Sequence, residues 1–241
     1  MLELKNLTKK FGGVTAVDDL SFEISKGEIF GLLGENGAGK TTTLRMLATM
    51  LKPTSGTAIL SGVDMSHSPE EVRGRVGILF GGESGLYDRL TVFENIRYFG
   101  ELNDIPVDEI KKRIRVLADI FDMNDFLEKR AGKLSKGMRQ KASFARAIIH
   151  NPDVLLLDEP TSGLDVGAMR EVQSFIKRQK DEGKTILFSS HTMSEVEKLC
   201  DRIAIIHKGK LAAIGTLDEL FKRYQTENLE ELFMGLVGGK K

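Results

Sequence analysis

The sequence predicts an α/β protein with a mixed, sheet-based core and an inserted helical subdomain. Three observations lead there. Short apolar runs suited to buried strands open the chain, residues 91 to 130 carry helical spacing with few strand signals, and after Asn151 strands and helices alternate. The chain has 241 residues, 41% of them apolar, which suits one large domain with a real core and excludes a disordered chain.

The elements follow in order. LELKNLT (2–8) and LSFEIS (20–25) alternate apolar and polar residues as half-buried strands do, with FGGVTAVDD as the turn between them. IFGLLG (29–34) is almost wholly apolar and reads as a central strand. Leu44, Met46, Leu47 and Met50 allow a helix from Gly39 that Pro53 stops. TAILSGVDM (57–65) is hairpin-like, and RVGILF (75–80) is another buried strand. TVFENIRYFGEL and VDEIKKRIRVLADIF are helical, and so is LSKGMRQKASFARAII (134–149), with Ser135 as its N-cap. DVLLLDEP is a buried strand, VGAMREVQSFIKRQKDEG a helix, KTILFSSH a strand, MSEVEKLC a helix and DRIAIIHKGKLAAIG a hairpin. The expected organisation is one domain over 1–241: a core of 1–87 and 151–220, a helical subdomain at about 88–150, and a short helical tail at 221–241 that frays at its end.

Lys+Arg and Asp+Glu are equal at 35 each, so the net charge is zero and the basic surplus of a general nucleic-acid binder is missing. Cys200 is the only cysteine, which rules out an internal disulfide or a cysteine zinc cluster and suits a reducing cytoplasm. No window approaches the ~18–20 apolar residues of a membrane span. The start has no long apolar run, so it does not read as a signal peptide, and the expectation is a soluble chain.

Gly34-Glu35-Asn36-Gly37-Ala38-Gly39-Lys40-Thr41, followed by Thr42, fits G-x-x-x-x-G-K-[ST] between a strand and a helix. Backbone N–H groups wrap a phosphate only where the chain turns tightly and no Cβ blocks the approach. The helix that starts there adds its unpaired N–H groups and the positive end of its dipole. Lys40 supplies a charge for the β- and γ-phosphates, and the Thr41 hydroxyl a ligand for Mg²⁺. VLLLDEP (154–160) places Asp158 and Glu159 at the end of a buried strand. Asp158 suits holding Mg²⁺, directly or through water, and Glu159 is the candidate base for the attacking water.

Between these halves lies Leu134-Ser135-Lys136-Gly137-Met138, which resembles the LSGGQ signature of ATP-binding cassette (ABC) ATPases. Ser162-Gly163-Leu164-Asp165 is similar to their D-loop, and Ser190-His191 to their switch histidine. The five motifs stand in the family's order, and the resemblance covers residues 1 to about 220. It implies a P-loop NTPase (RecA-like) fold with an added antiparallel β subdomain, ATP and Mg²⁺ as cofactors, and ATP hydrolysis. It also implies a head-to-tail homo- or heterodimer in which Ser135, Gly137 and Asp165 of one subunit face the ATP held by the other. Six basic residues and no acid between Lys129 and Lys141 make that corner anion-facing. Phe11 stands where the family stacks an aromatic on adenine. His191 would donate to the γ-phosphate and hold water and Glu159 in geometry.

The chain departs from the family in two places. The glutamine expected after RVGILF is replaced by Gly81, Gly82 and Glu83; either Glu83 takes over its contact or water fills the metal shell. Lys136 and Met138 replace a glycine and the glutamine of the signature. The reading is an ATP-hydrolysing subunit at the cytoplasmic face of the cell membrane, held there by integral membrane partners and a second ATP-binding subunit. The tail LEELFMGLV, the FGGE segment and LSKGMRQK look similar to bacterial exporter cassettes, including the sodium-extrusion branch. The alternatives are a non-transport ABC ATPase on ribosomes or DNA, for which coiled-coil insertions and zinc modules are missing, and a small-molecule P-loop kinase, which leaves LSKGM and SSH unexplained.

Overall fold

The computed structural model describes residues 1–80 and 85–238. The amino-terminal strands β1 (Leu2–Phe11) and β2 (Val14–Ile24) pair antiparallel, and β3 (Ile29–Leu33) follows, buried at every residue. Helix α1 (Lys40–Leu47) leads to β4 (Ser55–Leu60), β5 (Val63–Asp64), α2 (Pro69–Arg75) and β6 (Val76–Leu79). Three helices come next, α3 (Val92–Leu102), α4 (Val107–Ile120) and α5 (Lys136–Ile148). The chain then alternates β7 (Val154–Asp158), α6 (Val166–Asp181), β8 (Thr185–Ser190) and α7 (Met193–Leu199). It closes with β9 (Arg202–His207), β10 (Lys210–Gly215), α8 (Leu217–Tyr224) and α9 (Leu229–Val237).

The strands form two sheets. One is antiparallel, in the order β2-β1-β4-β5. The other runs β10-β9-β3-β8-β7-β6, with only the β9–β10 hairpin antiparallel. Successive side chains of a strand point to opposite faces, so this sheet feeds two cores. Phe30, Leu32, Leu156, Leu187 and Ala204 join α1 and the antiparallel sheet. Ile29, Leu33, Leu155, Leu157, Ile186 and Phe188 join the helices, among them Ile110 and Ile114 of α4 and Phe144 of α5. A continuous apolar strand is what burial on both faces demands.

Phe121, Phe144 and Phe175 bind the helical segment to α6, with ring centroids 4.8 Å (Phe121–Phe175) and 5.1 Å (Phe144–Phe175) apart. Asn95 of α3 is wholly buried; its side-chain amide donates to the carbonyls of Tyr87 (3.1 Å), Leu90 (3.3 Å) and Thr91 (2.8 Å) and accepts from the Tyr87 N–H (2.7 Å). Thr91 starts the helix with a capping box to Glu94.

Four sequence expectations need correction. The loop expected between the first two strands is mostly strand: Phe11 pairs with Val14, and Gly12-Gly13 alone make the turn. The β-branched Val14, Thr15 and Val17 prefer that pairing to a loop. The helix expected to reach Met50 ends at Leu47, because Thr49 takes a left-handed φ of 55°. Helix α2 was not expected, although Pro69 opens it, Glu70 and Glu71 occupy its first turn, and Arg73 and Arg75 its last. Helix α8 was also missed; its sign was the capping box of Thr216 and Glu219, and the expected boundary at 220 falls inside it.

Candidate functional site

The register of the larger sheet brings the chemistry to one edge. Leu33 at the end of β3 pairs with Ser190, and Asp158 at the end of β7 pairs with Ser189. The loop 34–39, Asp158-Glu159 and Ser190-His191 therefore leave the carboxyl ends of three adjacent parallel strands, where open α/β sheets place ligands.

The glycines of the loop are there for close approach. Gly39 has φ 110°, and a Cβ on it would lie 2.5 Å from the Ala16 carbonyl oxygen. A Cβ on Gly34 would meet the Ile206 carbonyl oxygen at 2.6 Å. The strands β2 and β9 thus press against the loop and fix its shape. Lys40 follows at the first position of α1, only 5% exposed, and its ammonium donates to the carbonyls of Gly34 (2.6 Å) and Glu35 (3.1 Å). Burial pushes the Lys40 amine below the usual lysine range, while Glu159 and Asp158 pull it back up.

Thr41 Oγ1 donates to Asp158 Oδ2 at 2.8 Å, joining the two halves of the site. The other carboxylate oxygen of Asp158 accepts from Ser189 Oγ. Among the described residues no group of three or more His, Cys, Asp or Glu side chains gathers to hold a metal. A hydroxyl and one carboxylate suit a hard cation that takes its remaining ligands from phosphate oxygens and water. Glu159 has a left-handed φ of 47°, rare for a non-glycine residue. Its N–H donates to the Ser189 carbonyl and hydroxyl, both at 3.1 Å, and His191 Nδ1 lies 3.0 Å from its Oε1. A cleft of about 360 Å³ opens beside this pair, lined also by Ser162, Gly163, Leu164 and Arg170.

Gly34, Glu35, Asn36, Gly37, Ala38, Gly39, Lys40, Thr41, Thr42, Asp158, Glu159 and His191 thus occupy one edge. Phe11, at the tip of β1, is 49% exposed with Lys9 Nζ 5.1 Å from its ring centroid, so it is no core residue. Ser135 caps α5 by accepting from the Met138 N–H (3.3 Å), and Asp165 caps α6 by accepting from Ala168 N–H (2.9 Å). Among the described residues no hydrogen bond or ion pair joins Ser135, Gly137 or Asp165 to the 34–42 loop. Glu83 lies outside the described residues. Sequence reasoning missed Ser189, whose signal was a polar pair closing an apolar strand. It also missed Gln140, whose side-chain amide donates to the Pro160 carbonyl at 2.6 Å and ties α5 to the turn after Glu159.

Comparison with known proteins identifies the family. The family model described as "ABC transporter" matches residues 17–162. The chain is 48% identical over 244 residues to the ABC transporter ATP-binding protein NatA of Bacillus subtilis (strain 168), covering 99% of each chain. It is 40% identical over 220 residues to Nod factor export ATP-binding protein I of Ralstonia nicotianae, covering 91% of this chain and 68% of that one. Among solved structures, an ATP-binding subunit of an ABC transporter superposes with a TM-score of 0.90 at 30% identity, covering 98% and 99% of the two chains. A dimeric post-hydrolysis state of the cassette MJ0796 bound to ADP and Pi superposes with a TM-score of 0.79 at 25% identity, covering 90% and 98%. The mixed sheet, the strand-to-helix glycine loop and the full-length similarity together make this chain a member of the ABC transporter ATP-binding protein family.

Proposed function

We propose that this ATP-binding subunit hydrolyses Mg-ATP at the edge formed by β3, β7 and β8, and that the reaction drives export through separate membrane subunits. The observation that carries the site assignment is the 2.8 Å hydrogen bond from Thr41 to Asp158, which sets a phosphate loop and a strand-end carboxylate around one point. Residues Gly34 to Thr42 cradle the phosphates, with Lys40 on the β- and γ-oxygens. Thr41 and Asp158 would hold Mg²⁺, which would supply positive charge to offset that of the phosphates. Glu159 accepts the proton of the attacking water, and His191 aligns Glu159 and the γ-phosphate. Phe11 stacks on the adenine.

Ser135, Gly137 and Asp165 act on the ATP of a second, head-to-tail copy. The dimeric cassette that the fold matches supports that reading. Only ATP offers a γ-phosphate to both copies, so it closes the pair and its loss reopens it. The closing motion reaches integral membrane partners at the cytoplasmic face of the cell membrane. Among the described residues no helix is long and apolar enough to cross a membrane; the path for cargo is assigned to the membrane partners. The chain is one domain, with a helical subdomain at about 88–150 set into a core of residues 1–87 and 151–220. Export is supported by the relative named for Nod factor export. The tail LEELFMGLV and the LSKGMRQK segment, similar to exporter cassettes of the sodium-extrusion branch, support sodium as the cargo.

The test is Glu159→Gln, which keeps the shape of the site but cannot take a proton. With Mg-ATP it is expected to run as a dimer on gel filtration and to stop turnover. A strictly monomeric variant at saturating Mg-ATP overturns the two-copy site. Sodium efflux from vesicles holding the chain and its membrane partners tests the cargo, and efflux that ignores ATP refutes it.

A further inference from the structure

Glu195 sits on α7 and is 4% exposed, an ionisable side chain in the same short helix as the wholly buried Val196 and the nearly buried Leu199. A buried carboxylate is costly to desolvate and is retained where hydrogen bonds satisfy it. Here two hydroxyls do so, one from each side of the hydrolytic edge. Thr161 Oγ1 donates to Glu195 Oε1 at 2.6 Å, and Ser190 Oγ donates to Oε2 at 2.8 Å. Thr161 stands two residues after Glu159 and Ser190 one before His191. The Ser190 hydroxyl in turn accepts from the Thr192 N–H at 3.0 Å, which fixes the backbone on the other side of His191.

We infer that Glu195 is the positioning residue of the hydrolytic pair: its two carboxylate oxygens clamp the turn after Glu159 to the turn around His191 and so set the contact between them. This rests on the roles given to Glu159 and His191 above. The Glu159 backbone is already tied to β8 through Ser189, but that tie ends at residue 159. Pro160, Thr161 and Ser162 run on beyond it, and Thr161 is the point where they are fastened to α7. The His191 loop has its own fastening through Ser190. One planar group holds both beyond the Ser189 tie, so moving it loosens the turn at Thr161 and the turn around His191 and lengthens the 3.0 Å contact of His191 with Glu159. A misplacement of about 1 Å in such a contact costs on the order of 10²-fold in rate.

The experiment measures steady-state and single-turnover ATP hydrolysis by the full chain. Glu195→Ala is expected to lower kcat by about 10- to 100-fold while KM for ATP stays within about twofold, because the phosphate loop is untouched. Glu195→Gln keeps the planar shape, accepting from one hydroxyl and donating to the other, and is expected to recover much of the loss. Glu195→Asp is one methylene short of spanning both hydroxyls and is expected to behave like alanine. In a His191→Ala background, Glu195→Ala is expected to add little further loss, since it acts through that histidine. Thr161→Val removes one arm of the clamp without touching the carboxylate, and serves if Glu195→Ala fails to fold; its kcat is expected to fall with KM unchanged. A kcat within twofold of the parent in Thr161→Val, a fall in which KM rises in step, or losses that multiply fully with His191→Ala overturn the inference. A parent chain that turns over no more ATP than Lys40→Ala instead sinks the functional reading, and the inference with it.

Discussion

His191 Nδ1 lies 3.0 Å from Glu159 Oε1, and the two residues leave neighbouring parallel strands through backbone that the sheet register fixes. A carboxylate only accepts, so Nδ1 is the donor in this contact. His191→Ala is therefore expected to leave ATP binding within a few-fold and to lower kcat on the order of 10²-fold, the cost of losing a group that holds the reacting geometry. Equilibrium binding and single-turnover hydrolysis separate the two effects. A variant with parental turnover would remove His191 from the mechanism.

Lys40 gives the second prediction. Its ammonium now bonds to two carbonyls of its own loop, Gly34 and Glu35, and the nucleotide phosphates compete for the same hydrogens. Lys40→Met should abolish the ATP-induced rise in Tm while leaving a folded apo chain. It should also change the alkaline stability profile. Burial lowers the folded-state value of this amine from the ordinary 10.5, against the pull of Glu159 and Asp158. The folded state thus sheds its proton before the unfolded state does, and stability rises with pH between the lowered value and the ordinary one. In urea titrations across that window the parent should gain and the methionine variant should not; equal slopes refute the assignment.

The site was legible because its motifs are local. A glycine loop, a strand-end carboxylate pair and a strand-end histidine each announce themselves within eight residues, and the alternating strands place them at one edge. What stayed hidden depends on residues far apart in the chain. Glu195 reads as a polar residue on a surface helix until Thr161 and Ser190 are seen to reach it. Gln140 has no local mark for its bond to Pro160, 20 residues on. The first hairpin was misread because two glycines and two aspartates outweighed β-branched residues whose pairing is decided across the sheet. Helices α2 and α8 are a different case: both carried ordinary end signals, in Pro69 and in Thr216 with Glu219, that the reading passed over.

Asp64 carries the third prediction, on acid stability. Its carboxylate accepts from the Ser66 hydroxyl (2.6 Å), the Thr57 hydroxyl (2.7 Å) and the Ser66 N–H (2.8 Å). The Ser66 hydroxyl, then that of Thr57, then the Ser66 N–H hold it far below the usual carboxylate range. An unfolded chain binds this proton first as pH falls. The contribution is therefore fully present above the ordinary value of 3.8 and drains away below it, toward the depressed folded value. Asp64→Asn should reduce stability at neutral pH and narrow the gap to the parent as acid is added. Urea midpoints for both chains from neutral pH downward test it, and a gap that stays constant is the contrary result.

The last prediction separates packing from ligand contact by two phenylalanines. Phe175 of α6 is buried between Phe121 and Phe144, so it joins the helical segment to the sheet-bearing body. Phe175→Ala removes a ring from a filled space and is expected to cost about 3–5 kcal/mol, read as a lower urea midpoint with little change in slope. Phe11 is half exposed at a strand tip and packs on the Lys9 ammonium alone among the described ring and cation contacts. Phe11→Ala should shift the urea midpoint hardly at all and weaken ATP binding by about 1 kcal/mol, roughly fivefold, through lost stacking on the base. The two variants must differ in which measurement moves. Should Phe11→Ala unfold more readily and bind ATP as the parent does, the ring is a piece of the hairpin and not of the nucleotide site.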